Sequence, residues 1–311
     1  MNDKELGAYL DRIGAGRSAK PDTAALRSLH RAHLLAVPFE NLSIHLGEPI
    51  SLEHGELIDK IVARRRGGFC YELNGAFALL LGALGFDVRL LAARVFGDGR
   101  LGPPFDHLAL LVRAIDGDGP WLADVGFGDH SEFPLRFGER GKQDDPAGSF
   151  LLADAVPGSV AGAERRGEPI RGGGGGQAGR AGQVPGMAGQ VPGRAGRVPG
   201  EDGATDIDII RNGLPQYRLE LRERALADFR PTCWWQQTSP ESPFTRAVVC
   251  SRLTAGGRVS ISGRTLILTA DGTRTRQELP SDDAVLAAYR DHFGIVLDRV
   301  PAVAAAVSQP G

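Results

Sequence analysis

Arg65-Arg66-Gly67-Gly68-Phe69-Cys70-Tyr71-Glu72-Leu73-Asn74 runs straight into Gly75-Ala76-Phe77-Ala78-Leu79-Leu80-Leu81-Gly82-Ala83-Leu84-Gly85-Phe86. From Phe69 onward the stretch is apolar nearly all round, which predicts a central, buried helix ending at Gly85. Cys70 then sits where a Gly-Gly turn meets the first turn of that helix. Unpaired N–H groups and the positive end of the helix dipole favour thiolate over thiol there, so the position suits a nucleophile. It equally suits a small buried hydrophobe, and the cysteine by itself does not separate the two readings.

Upstream, the pattern stays helical. Leu6, Tyr9, Leu10 and Ile13 recur at i, i+3, i+4 and i+7, and Leu26, Leu29, His30 and His33 repeat the spacing from Thr23 to Leu35, where Pro38 stops the helix. Leu57, Ile58 and Ile61 share a further helical face. Downstream, the period changes. Residues 87–96, 107–115, 121–127 and 216–223 alternate or run apolar between Gly, Asp and Pro, the signature of antiparallel strands and hairpins. Strand signals return at 246–253, 258–263 and 264–271. A closing helix follows, with Val285, Leu286, Tyr289 and Phe293 on one face. The expected fold class is therefore α+β and multi-domain: a helical bundle over 1–87, an antiparallel β unit over 88–222 and a small α/β piece over 223–311.

A chain of 311 residues is about twice the ~150-residue prior for one domain, in keeping with several packed units. A formal net charge of -2 provides no basic excess to offset phosphate, which disfavours nucleic acid as the main partner. No run approaches the ~18 apolar residues of a membrane span, and the start lacks a basic segment followed by an apolar core, so the expected location is the cytoplasm. The three cysteines, Cys70, Cys233 and Cys250, are too few for a disulfide framework and too far apart for a zinc knuckle. One segment is anomalous. Residues 171–203 carry five consecutive glycines directly after Arg171 and continue as sevenfold repeats beginning at Ala181, Ala188 and Ala195, each with Val-Pro-Gly. Proline every seven residues forbids a helix and the apolar content cannot form a core, which predicts a disordered loop inserted into the β unit.

Two polar residues interrupt the apolar strands. His107 heads Leu108-Ala109-Leu110-Leu111-Val112, and Asp124 follows Trp121-Leu122-Ala123 within an expected strand. A buried histidine and a buried carboxylate each require a partner, and pairing them on neighbouring strands satisfies both. That pair reads either as structural or as the two supporting members of a Cys-His-Asp triad with Cys70.

The chain resembles the arylamine N-acetyltransferase family through Val37-Pro38-Phe39-Glu40-Asn41-Leu42, Arg66-Gly67-Gly68-Phe69-Cys70-Tyr71-Glu72-Leu73-Asn74, His107-Leu108 and Ala123-Asp124-Val125-Gly126-Phe127-Gly128. A fainter match runs through residues 226–229 and 239–245. The resemblance implies a helical bundle, a β-barrel and an α/β lid, with a catalytic triad of Cys70, His107 and Asp124. Acetyl-coenzyme A would be the acyl donor and an arylamine or hydrazine the small-molecule acceptor, with no metal required. Phe39, Tyr71 and Phe127 would line the acceptor pocket. Val95, Gly126, Gly128, Trp235 and Thr238 would contact the coenzyme, with Trp234 beside them in the lid. Glu40 and Arg66 read as a buried ion pair, and Cys233 and Cys250 as buried residues. An amide synthase releasing a carrier-bound polyketide, a transglutaminase-like hydrolase and an idle binding module are the alternative readings, and the oligomeric state stays open. Two departures stand out. Asp106 replaces the small hydroxyl residue often found before the family histidine, where a carboxylate would raise the imidazole pKa or alter the donor's approach. Leu219 stands where an aromatic is expected.

Overall fold

The computed structural model describes residues 1–17, 20–97, 100–155, 206–270 and 272–303, so the repeats expected to form a disordered insertion at 171–203 lie outside the described residues. Two long helices open the chain, α1 (Asp3–Ile13) and α2 (Thr23–Ala36). The Asp22 carboxylate accepts from the Ala25 N–H at 2.9 Å and so caps the first turn of α2. After strand β1 (Phe39–Glu40) come the short helices α3 (Leu42–Leu46) and α4 (His54–Ile58), the latter prolonged by a π-helical turn over Asp59–Ala63. Helix α5 (Cys70–Ala83) follows, buried without a break from Cys70 to Phe77 and again at Leu80 and Leu81. Gly85, at φ +93°, turns the chain out of this helix in a conformation that favours glycine.

The β unit comprises β2 (Asp87–Gly97), β3 (Arg100–Leu101), β4 (His107–Arg113), β5 (Trp121–Ala123), β6 (Leu135–Arg136), β7 (Gln143–Asp145), β8 (Gly148–Asp154), β9 (Ile207–Arg211) and β10 (Leu214–Arg224). The main path is β6-β5-β4-β2-β10-β9-β8-β7, antiparallel throughout, with β3 paired to β2. Between its two ends the Gln143 side chain accepts from the Arg136 N–H at 2.7 Å and donates to the Arg136 carbonyl at 3.0 Å, which makes the sheet a nearly closed barrel. Leu91, Ala109, Leu122, Phe150, Ile209 and Tyr217 fill its inside.

Helices α6 (Arg230–Thr238) and α7 (Pro243–Arg246) lead to strands β11 (Val249–Thr254), β12 (Gly257–Ser262), β13 (Thr265–Ala270) and β14 (Thr273–Glu278), and α8 (Asp282–Phe293) closes the described chain. Val285, Ala288, Tyr289 and Phe293 of α8 pack on this second sheet; Ala288 takes the buried place expected for Leu286, which is half-buried. One connection was not legible in the periodicity. Phe39 and Glu40 pair with Ser251 and Cys250, so the second sheet begins with residues of the N-terminal segment. Among the described residues, no helix is long and apolar enough to cross a membrane.

Candidate active site

Cys70 is the first residue of α5 and is buried, at 3% exposure. The helix start is fixed by Glu72, whose carboxylate accepts the Phe69 N–H at 3.2 Å and the Lys60 ammonium at 2.5 Å. Beside it, Arg66 donates to Glu40 at 3.0 Å and to Glu48 at 3.2 Å, while Glu40 also accepts the Leu42 N–H at 2.6 Å. Glu40 and Arg66 therefore form a buried ion pair. Burial works against the Glu40 charge, but Lys60 and Arg66 outweigh it and hold the carboxyl below its ordinary range.

His107 heads β4, where it pairs with Ala93 of β2. Its Nε2 lies 2.7 Å from Asp124 Oδ2. The Asp124 Oδ1 accepts from Asn74 Nδ2 at 2.8 Å and from the Gly126 N–H at 3.0 Å. The acid sits one residue past β5 rather than within a strand, because the Asp124-to-Gly126 bond turns the chain there. Burial alone would raise the Asp124 carboxyl; the His107 charge and hydrogen bond, His130 and the Asn74 amide together hold it well below the usual carboxylate range.

The sulfur of Cys70 meets the main chain on both sides of His107. It lies 3.9 Å from the Asp106 carbonyl, and the Leu108 amide favours its charged form. Asp124 holds Nε2 of the imidazole, so Nδ1 is the nitrogen not engaged by the carboxylate. Burial nevertheless pushes the Cys70 thiol well above its ordinary value, with the Asp106 and Asp124 charges adding to the effect. Burial thus works against the thiolate that the helix start favours.

Asn74 was visible in the motif but carried no assigned role. Its amide donates to the Leu108 carbonyl at 2.6 Å and to Asp124, and its oxygen accepts from the Val125 N–H at 2.9 Å. One side chain on the helix of Cys70 thus fixes both the strand of His107 and the turn of Asp124. Tyr217 was also missed. It lies two residues before Leu219 and supplies the aromatic expected there, its ring centroid 5.0 Å from that of His107 and 5.2 Å from that of Phe127. His130 joins the cluster, 5.5 Å from Tyr217. The Tyr217 hydroxyl and His130 Nε2 are buried and make no hydrogen bond among the described residues, although Tyr217 lies near enough to Asp124 for that charge to reinforce burial in raising its pKa. Burial pushes His130 down to about 4.

The other expected site residues fall into distinct places. Phe127 is half-buried with its ring edge-on to His107 at 5.2 Å. Phe39 is half-buried over Gly128, whose φ of +91° and missing Cβ allow the ring to approach: a Cβ there would stand 3.3 Å from it. Tyr71 is buried, and its hydroxyl is shared between the carbonyls of Phe105 at 2.8 Å and Asp106 at 3.1 Å. It thereby anchors the turn at Phe105, where a φ of +61° is strained for a non-glycine residue. The Gly126 N–H is taken by Asp124, and a Cβ on Gly126 would lie 2.8 Å from the Cys70 Cα. Close packing against α5 by itself requires glycine at this position. Val95 is half-buried opposite Tyr217, Trp235 is half-buried, and Trp234 and Thr238 are exposed. Asp106 is turned towards α6, where it accepts from Gln236 at 2.7 Å. Cys233 and Cys250 are buried free thiols.

The family model described as N-acetyltransferase matches residues 22–302. The arylamine N-acetyltransferase of Mycolicibacterium smegmatis is 31% identical over 298 residues, covering 94% of this chain and 92% of that protein. The solved structure of the Mycobacterium marinum arylamine N-acetyltransferase in complex with CoA superposes with a TM-score of 0.71 at 29% identity, covering 93% and 92% of the two chains. The Salmonella typhimurium arylamine N-acetyltransferase superposes with a TM-score of 0.73 at 26% identity, covering 96% and 94%.

Proposed function

Since the chain belongs to the arylamine N-acetyltransferase family and is an acyltransferase, we propose that it moves an acetyl group from acetyl-coenzyme A to an arylamine, arylhydrazine or related weakly basic amine through an acetyl-cysteine at Cys70. The observation that carries this reading is the His107 contact to Asp124 through Nε2 at 2.7 Å, which leaves Nδ1 for a buried thiol that needs a base. His107 takes the Cys70 proton as the sulfur attacks the thioester carbonyl. Coenzyme A leaves as its thiol after receiving that proton, and one thioester has replaced another. The amine then attacks the acetyl-cysteine, His107 accepts the ammonium proton, and the amide departs as Cys70 is regenerated. Asp124 orients the ring and stabilises the imidazolium formed in each half. Phe39 and Phe127, both half-buried beside the site, are proposed to bracket the acceptor ring, with Val95, Trp235 and Thr238 on the coenzyme side. The CoA complex of the mycobacterial relative supports the choice of donor.

Brief exposure to acetyl-coenzyme A should add one acetyl group to the wild type and none to Cys70→Ala, as read by mass spectrometry. Double-reciprocal plots with both substrates varied should be parallel. Intersecting lines, or full turnover in Cys70→Ala, would refute the acetyl-cysteine.

A further inference from the structure

His30 lies on α2, outside the triad, and is fully buried. Its two ring nitrogens contact main-chain groups eight residues apart in sequence. The Asp124 N–H donates to Nε2 at 3.2 Å, and Nδ1 donates to the Glu132 carbonyl at 3.0 Å. An amide N–H can only donate and a carbonyl can only accept, so both contacts are satisfied only by the tautomer carrying its proton on Nδ1. A doubly protonated ring would lose the Asp124 contact. The ring also packs edge-on against Phe77 of the nucleophile's helix, at 6.1 Å.

We propose that His30 is a positioning residue for acyl transfer, its Nδ1-protonated imidazole strapping the 124–132 segment at both ends and thereby setting the height of the Asp124 carboxylate against His107. The segment has other restraints, but those on its main chain beyond Val125 and Gly126 act away from Asp124. Arg258 donates to the Gly128 carbonyl, Arg211 donates to the Asp129 carbonyl at 3.0 Å, and Asp145 accepts the Glu132 N–H at 2.9 Å. These hold the middle and the far end. At the near end, Asn74 holds the Asp124 side chain, while among the described residues His30 alone holds its N–H. The groups that face His30 electrostatically are Asp124, Asp145, His33 and His130. Burial keeps its pKa below the ordinary histidine range despite the two carboxylates, in keeping with the single tautomer the contacts demand.

The inference rests on the reading that Cys70 carries the acyl group, but its test does not require turnover. Iodoacetamide alkylation of Cys70 across pH, with Cys70→Ala as the background for Cys233 and Cys250, reports the coupling of thiol and imidazole directly. Glutamine places an amide oxygen near the Nε2 position and can still accept the Asp124 N–H, whereas asparagine reaches only the Nδ1 position and the Glu132 carbonyl. In His30→Asn, alkylation at neutral pH and the rate of acetyl-enzyme formation should fall about 10- to 100-fold with the alkylation pH profile displaced, while His30→Gln stays within about fivefold of wild type. His30→Phe should behave like His30→Asn, and melting temperatures recorded alongside separate loss of fold from loss of alignment. Equal losses in the Gln and Asn variants would overturn the proposal, as would an unchanged alkylation profile in folded His30→Asn. A wild type that alkylates normally but is never acetylated would refute the acyl-transfer reading and leave the His30 result standing.

Discussion

The two sides of Cys70 are built on opposite principles. Beneath it, every charge is answered: Lys60 against Glu72, Arg66 against Glu40 and Glu48, all but Glu48 within the buried interior. Across from it, the wall formed by His107, Phe127, His130 and Tyr217 holds two buried polar atoms, the Tyr217 hydroxyl and His130 Nε2, that make no hydrogen bond among the described residues. The saturated side has one low-energy arrangement and holds the helix of Cys70 still. The other side is built of packed rings, whose contacts fix position less strictly than paired charges do.

The contrast can be broken by removing charge from each side in turn. Asp124→Asn retains shape but leaves the imidazolium without its counter-charge, and kcat should fall by roughly 10³- to 10⁴-fold. A near-normal rate in a folded variant would show that the Asp124 contact is structural. Lys60→Met, on the supporting side, should act on stability instead, costing about 3–5 kcal/mol in denaturant unfolding because Glu72 is left as an uncompensated buried charge. The double variant Lys60→Met/Glu72→Gln should recover most of that loss, and the rate per folded molecule should stay within a few-fold of wild type. If Lys60→Met instead abolished turnover while melting normally, the two sides would not be divided as described.

Acid sharpens the same distinction. Burial holds His130 down to about 4 and His33 down to about 3, below the ordinary histidine value, so in this range the unfolded chain binds the extra protons. Their contribution to stability is complete above the unfolded value of about 6.5 and is lost as pH falls from there towards the folded values. Denaturant midpoints should therefore decline between neutral pH and about pH 4, and His130→Phe should flatten that decline relative to wild type. A parallel decline in both proteins would exonerate His130. The smallest effect is expected for the segment that joins β8 to β9. Asp154 pairs with Ile207, and the Ala155 N–H donates to the Asp206 carbonyl at 2.7 Å, so the ends of the 156–205 segment are already neighbours in a hairpin. Replacing 156–205 by a short Asn-Gly turn should leave the melting temperature unchanged or slightly raised, since each halving of a loop saves roughly 0.6 kcal/mol of closure entropy. A large drop would mean that the segment contributes contacts of its own.

Much of this site is readable in one dimension because its members violate their local pattern. A cysteine at a Gly-Gly-to-helix junction, a histidine heading an apolar strand and an aspartate after another are each anomalous where they stand, and burial forces polar anomalies to find partners. The bundle, the barrel strands and the closing helix are legible for the complementary reason: their apolar periods are 3.6 and 2, whatever they later pack against. The residues that only the fold reveals are ordinary in their own neighbourhoods. Asn74 lies within a helix, His30 on a helical face shared with leucines, and Tyr217 in an alternating strand. Their roles arise from contacts across 50, 94 and more than a hundred positions of chain. Periodicity can specify which face of an element is buried, but not which group lies opposite it. That was decided when the helix of Cys70, the strand of His107 and the turn of Asp124 packed together, because hydrogen bonds and ring contacts act over a few ångströms of space and are indifferent to separation along the chain.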